Sequence, residues 1–321
     1  MRTILITTCT GRKKTPTHAT LHAAKLPKGK QNAVLSSWVN ALKAQSCRTA
    51  ARKVYCGRGF SEILDTVRPK GERFIELDLW VISAGLGLIN SNLEIPSYNL
   101  TISPSTPDSI QLRITHKTPF DPRLWWRELN KALYRTPTPL ANLIRKNNDA
   151  LFVISMSRPY AEMVVDDLLS LEPSDQQRIR ILGLSRSFIL PLPLQSLCMP
   201  YDERYDGLDS THTGTRSDFP QRVTRHFVEN ILTQSEENSQ PLDHSKKVTA
   251  FLEGKRTPVL VKRARKTDDE INLIILKRWD DARGSATVML RILRDKEEIA
   301  CEQKRFGRLF KEIKAGKNGQ I

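Results

Sequence analysis

The sequence predicts an α/β protein, a mostly parallel sheet with helices on both faces, followed by a small helical domain of helix-turn-helix type. Three observations carry this expectation. Short apolar runs at 2–9, 79–82, 149–157 and 178–184 alternate with segments of helical period, the order expected of strands joined by helical crossovers. Those runs show little in-and-out alternation, so each reads as a strand buried on both faces. The last 77 positions, from Ser245, hold 20 basic and 11 acidic residues, a shift in composition that sets off a separate domain.

The chain of 321 residues carries a net charge of +16. A surplus of that size points to a polyanionic partner, because each Lys or Arg set against a phosphate releases condensed counterions. No apolar run approaches membrane length, and Met1–Thr8 reads as a first strand instead of a secretion signal. A cytoplasmic protein with no membrane partner is therefore expected. The five cysteines, Cys9, Cys47, Cys56, Cys198 and Cys301, form no Cys-x-x-Cys pair. They read as reduced thiols, with no metal and no cofactor expected.

In chain order, the first strand runs into Thr10-Gly11-Arg12-Lys13-Lys14, where backbone donors and cations together outline an anion site. The spacing is not that of a P-loop. A polar loop over 15–31 precedes a helix capped by Asn32 and reaching Gln45, with Leu35, Trp38, Val39 and Leu42 on one face. Segment 50–60 sets Tyr55 and Phe60 beside Arg58, a combination suited to stacking on a base and gripping its phosphate, although Tyr55 also fits a core position.

The central stretch ends the run Leu79–Ile82 at Ser83, Gly85 and Gly87. Such an ending fits a ligand loop past a strand end, or a tight turn between two core strands. Glu94, Tyr98 and Asn99 follow within a few residues and add a carboxylate, a hydroxyl and an amide. Helices are expected over 123–134 and 140–146. The third strand ends in Ser155 and Ser157, and Arg158-Pro159-Tyr160 opens a helix to Leu171, which makes a second strand end suited to an anion or a base. After the fourth strand, the polar run 201–216 offers Asp202 as a further carboxylate, and a helix over 217–232 closes the domain.

The domain limits so read are 1–234 for the α/β domain, 235–245 for a Gln/Glu/Ser-rich linker and 246–321 for a basic helical nucleic-acid-binding domain. Within the last, Thr267 and Glu270 form a capping box, and Gly284-Ser285 restarts a helix. The final helix bears Lys304, Arg305, Arg308 and Lys311, cations placed for entry into a major groove.

Taken together, Cys9-Thr-Gly-Arg-Lys-Lys, Val54-Tyr-Cys-Gly-Arg-Gly-Phe60, Ile82-Ser-Ala-Gly-Leu-Gly-Leu-Ile89 and Glu94-Ile-Pro-Ser-Tyr-Asn-Leu100 resemble a broad family of bacterial and archaeal domains. That family has a Cys-Ser/Thr-x-x-Lys start, a Leu-Tyr-x-Gly-x-x-Phe element and an Ile-Leu-Ser-Ala-x-x-Gly-Leu strand end followed by Pro-Tyr-Asp. It includes peroxide-stress proteins and domains fused to archaeosine-type transglycosylases, and is similar in fold to the uracil-DNA-glycosylase superfamily. One branch resembles an anti-phage glycosylase that removes glucosylated hydroxymethylcytosine from DNA.

The resemblance implies a DNA glycosylase that hydrolyses the N-glycosidic bond of a modified base and leaves an abasic site, with phage DNA as partner. The chemistry needs a flipped nucleotide, support for an oxocarbenium-like sugar and an aligned water. Cys9, Thr10, Gly11, Lys13, Tyr55, Ser83, Gly85, Gly87, Tyr98, Ser155, Ser157, Arg158 and Tyr160 would bind the nucleotide. Glu94 or Asp202 would stabilise the sugar cation, with Asn99 positioning water. Arg12, Lys14 and Arg58, together with the last helix, would hold the duplex. Two departures stand out: Ser97-Tyr98-Asn99 replaces Pro-Tyr-Asp, and neither signature motif of ordinary uracil-DNA glycosylases is present. A non-catalytic DNA-binding protein on the same fold is the competing expectation, supported by that change of acid to amide. A transglycosylase is weakened by the absence of a recognisable barrel or its zinc ligands.

Overall fold

The computed structural model describes residues 2–68, 76–104, 106–115, 119–185, 187–207, 214–232, 239–258 and 262–318. It divides into two compact units, Met1–Pro258 and Val259–Ile321. The first unit runs β1 (Arg2–Thr8), α1 (Gln31–Lys43), β2 (Thr49–Ala50), α2 (Ala51–Val54), α3 (Arg58–Val67), β3 (Glu76–Ser83), β4 (Gly87–Asn90) and β5 (Glu94–Ile95). It continues through α4 (Pro122–Tyr134), α5 (Pro139–Lys146), β6 (Ala150–Ser155), α6 (Arg158–Leu169), α7 (Pro173–Gln176), β7 (Ile179–Leu182), α8 (Leu192–Gln195), α9 (Phe219–His226) and α10 (Pro241–Leu252).

Five strands form the central sheet in the order β4-β3-β1-β6-β7. β3, β1, β6 and β7 are parallel, as the double-sided burial of their residues requires. β4 is antiparallel to β3, so the Gly85 and Gly87 segment is a hairpin turn, with Ser83 paired to Gly87. Successive residues of each parallel strand point to opposite faces. Ile4, Ile6, Phe152 and Ile154 enter a core shared with Trp38, Trp125 and Val164 of α1, α4 and α6. Leu5, Leu79, Leu151 and Val153 enter a second core with Ile63, Val223 and Val248 of α3, α9 and α10. Helices thus cover both faces.

Two boundaries differ from expectation. Lys30, not Asn32, stands at the N-cap of α1. The start is fixed by Gln31, whose amide is bonded both ways to the backbone of Asp121. The linker expected over 235–245 lies partly outside the described residues, and from Pro241 it is helix. Val248 and Leu252 of α10 are buried in the second core, which draws this helix into the first unit and moves the division to Pro258.

The second unit contains β8 (Ala264–Arg265), α11 (Asp268–Lys277), α12 (Ala286–Arg291), β9 (Ile299–Ala300) and α13 (Gln303–Asn318). Thr267 and Glu270 close a capping box at α11, as their spacing predicts. Ile271, Ile275, Met289, Leu293, Phe306 and Leu309 are buried in its own core, and β8 and β9 add a parallel ladder to the three helices. Among the described residues no helix is long and apolar enough to cross a membrane.

Candidate strand-end site

In the parallel core, the connection from β1 leads to β3 on one side, and β6 leads to β7 on the other. The sheet order therefore reverses between β1 and β6, and in open α/β sheets the crevice past the carboxyl ends at that reversal is where ligands bind. Cys9, just after β1, meets Tyr160 of α6 there, Sγ to Oη at 3.2 Å. Ser155 ends β6, fully buried, with no hydrogen-bond partner for its hydroxyl among the described residues; it is paired with Leu182, and the alternation of β6 sets its side chain on the face of Val153 and the second core. Burial also pushes the Tyr160 phenol well above its ordinary range, so it remains a neutral donor.

The basic loop is strapped over this point. Lys14 N donates to Val54 O at 2.9 Å, Cys56 N to Arg12 O at 3.1 Å, and Thr10 Oγ1 to Cys56 O at 2.8 Å. These bonds fold Lys13 inward, where its Nζ donates to Thr10 O at 2.9 Å and stands 4.4 Å from the centroid of the Tyr98 ring. Desolvation lowers the Lys13 pKa, an effect opposed by Cys9, Asp108 and Cys56 nearby. Gly11, Arg12 and Lys14 are left facing solvent.

Beneath Lys13 lies a fully packed floor. Tyr98 Oη bonds Ser83 Oγ at 2.5 Å and Tyr55 Oη at 2.8 Å, and both tyrosines have no exposed surface. Burial holds both phenols well above their usual pKa. Ser83 Oγ also accepts from Gly85 N and Leu86 N, which closes the hairpin turn. The glycines, expected to admit a ligand, instead admit side chains. A Cβ on Gly85 would stand 2.7 Å from Tyr98 Cε2, and one on Gly87, at φ +73°, would overlap the Asn130 amide. Three aromatic donors clamp the turn: Trp125 Nε1 to Ala84 O, Trp38 Nε1 to Gly85 O and Tyr134 Oη to Leu86 O, at 2.7 to 2.8 Å.

The remaining expected residues fall in different places. Asn99 is half-buried, its Nδ2 3.3 Å from His22 Nδ1, and that nitrogen is 3.6 Å from Asp108 Oδ2. His22 and Asp108 were not among the sequence candidates, since neither sits in a motif. Glu94 is exposed on β5, opposite Ala50. Asp202 is buried, takes a two-pronged bond from Arg204 and caps the next turn, away from Glu94 and Asn99 in the chain. Ser157 stands at the N-cap of α6 with no side-chain cap bond, and Arg158 is paired with Glu162. Arg58 is 3.5 Å from buried Asp218.

In the second unit, Arg305 and Arg308 both bind the carboxylate of Asp268. Lys304 and Lys311 are exposed. Among the described residues, no group of three or more His, Cys, Asp or Glu is gathered to hold a metal ion. A cavity of ≈ 640 Å³ borders Arg2, Ala150 and Arg178, at the amino ends of the strands and so away from the Cys9 and Tyr160 junction. Set against family models, curated proteins and solved structures, the chain finds no match.

Proposed function

We propose that the chain is a DNA glycosylase that hydrolyses the N-glycosidic bond of a modified base, glucosylated hydroxymethylcytosine in phage DNA being the first candidate. The observation that carries this reading is the junction between β1 and β6, where Cys9 meets Tyr160 beneath a loop bearing Arg12, Lys13 and Lys14. Exposed cations on the loop suit a phosphate backbone, and neutral buried donors suit the polar edge of a flipped base. His22, Asp108 and Asn99 form a set able to orient a water, with the Asp108 carboxylate supporting positive charge on the sugar.

The test is incubation of purified protein with phage DNAs carrying different modified bases, followed by mass spectrometry of released bases and counting of abasic sites. Release of one modified base supports the reading. A second reading, a DNA-binding protein without catalysis, is favoured by the packed Ser83–Tyr98–Tyr55 floor, which fills space a flipped base would need. Salt-dependent duplex binding with no base released from any modified DNA would select it.

A further inference from the structure

In the second unit, β8, β9 and the start of α13 border a cavity of ≈ 780 Å³ whose lining includes Arg263, Arg265, Lys266, Arg294 and Arg305, against one acid, Glu302. Five cations to one carboxylate is a steeper ratio than in residues 259–321 as a whole, which hold 16 basic and 10 acidic residues. The concentration is therefore local to the cleft.

Backbone carbonyls help to hold these guanidinium groups in place, and Arg263 and Arg305 are held by Asp295 and Asp268 as well. Arg263 Nε donates to Arg294 O at 2.8 Å, Arg294 Nη2 to Cys301 O at 2.9 Å, and Arg305 Nη2 to Lys266 O at 2.9 Å. A carbonyl fixes a guanidinium without cancelling its charge. The acids that do pair with lining cations, Asp295, Glu270 and Asp268, are not themselves part of the lining. Arg265 is exposed on β8, and its side chain makes no ion pair or hydrogen bond with any described residue. Arginine forks set in advance are suited to phosphate oxygens, which they bind bidentately. In the cleft, Arg265 and Arg294 are paired with no acid among the described residues, whereas on the outer side of α13 Arg308 is tied to both Asp268 and Glu312.

We propose that this cleft, and not the exposed face of α13, holds the phosphodiester backbone of the duplex. The inference rests on the nucleic-acid reading of the chain but not on catalysis. Its test uses the full chain and a fluorescent, unmodified duplex of about 20 base pairs, with binding followed by anisotropy between roughly 50 and 200 mM salt. Arg265→Ala is expected to weaken binding about fivefold or more and to flatten the salt slope by about one. Arg265→Lys should restore the slope. Because the Arg265 side chain bonds to no described residue, its variants should melt with the parent.

Unchanged affinity and slope in Arg265→Ala, with both reduced by Lys304→Ala and Lys311→Ala combined, would place the duplex on α13 and overturn the inference. So would a small-ligand outcome, in which inorganic pyrophosphate at matched ionic strength raises the melting temperature of the parent but not of Arg265→Ala, while duplex binding is the same for both. Base release from modified DNA is scored separately. Release with an unaltered Arg265→Ala salt slope leaves the glycosylase reading standing without the cleft. A flattened slope with no release leaves the cleft standing without the glycosylase.

Discussion

Cys9 and Tyr160 join the ends of β1 and β6 through a contact of 3.2 Å between thiol and phenol, at the point where the sheet order reverses. A thiol is a weak hydrogen-bonding partner, so the contact itself adds little to stability. Tyr160→Phe is expected to cost about 1 kcal/mol or less in urea unfolding, whereas emptying the site with Tyr160→Ala should cost about 3–5 kcal/mol. If the phenol addresses a base, Tyr160→Phe should lower base release at least tenfold at unchanged duplex affinity. Equal loss of both in that assay would assign Tyr160 to packing.

Gly87 and Gly85 should differ in their response to a methyl group. Gly87→Ala adds a left-handed backbone conformation costing about 1–2 kcal/mol to displacement of Asn130, whose side chain accepts from Leu88 N. A total of about 2–4 kcal/mol is expected when the buried bond is included. Gly85→Ala has no such backbone strain and should act through Tyr98 and Trp38, shifting near-ultraviolet circular dichroism at a smaller loss of stability.

Two buried groups oppose each other in acid. Burial, with Arg180 adjacent, lowers the His244 pKa to about 4. Its contribution is complete above the unfolded value near 6.5 and is lost as pH falls through the window to about 4. Burial raises the Asp167 pKa to about 6, partly offset by the amides of Leu140 and Ala141. The folded state therefore binds that proton more tightly, and stability is gained as pH falls from about 6 towards the unfolded value near 3.9. Each effect is on the order of 3 kcal/mol. Asp167→Asn should remove the compensation, so that its unfolding free energy drops more than that of the parent between about pH 6.5 and 4.5. Parallel curves for the two proteins would contradict the assignment.

Lys13 offers the reverse case at high pH. Its pKa is lowered by burial, so the unfolded chain holds the proton longer, and stability rises as pH climbs from the lowered value towards 10.5. Lys13→Met should leave stability at neutral pH equal or improved while weakening duplex binding, measured by melting and anisotropy on one preparation. A fall in both would make the ammonium, set over the Tyr98 ring, a structural cation.

The alternation of strands and helices was legible because double-sided burial leaves unbroken apolar runs in sequence, as at Phe152 to Ile154. The motif residues Cys9, Lys13, Tyr55, Ser83, Tyr98 and Tyr160 also gather at the strand ends. What they do there was less legible. Gly-x-Gly has the same appearance whether its missing side chains admit a ligand or, as here, Tyr98 and Asn130. His22 meets Asp108 across 86 residues of chain, a pairing no local pattern announces. The helix α10 was not legible, because the Gln/Glu/Ser-rich run over 235–245 reads as a linker, and only the packing of Val248 and Leu252 in the second core reveals it.

The clamp on residues 84–86 sets which parts of the site can yield. With Trp38, Trp125 and Tyr134 each holding a successive carbonyl, the hairpin cannot swing outward without stranding three donors in an apolar interior. Any opening that lets a bulky guest reach the Cys9 and Tyr160 junction comes from the opposite wall, by the strap at 10–14 peeling away from 54–56. Amides on that strap should exchange with deuterium orders of magnitude sooner than those of the hairpin, and occupancy of the site should slow them first.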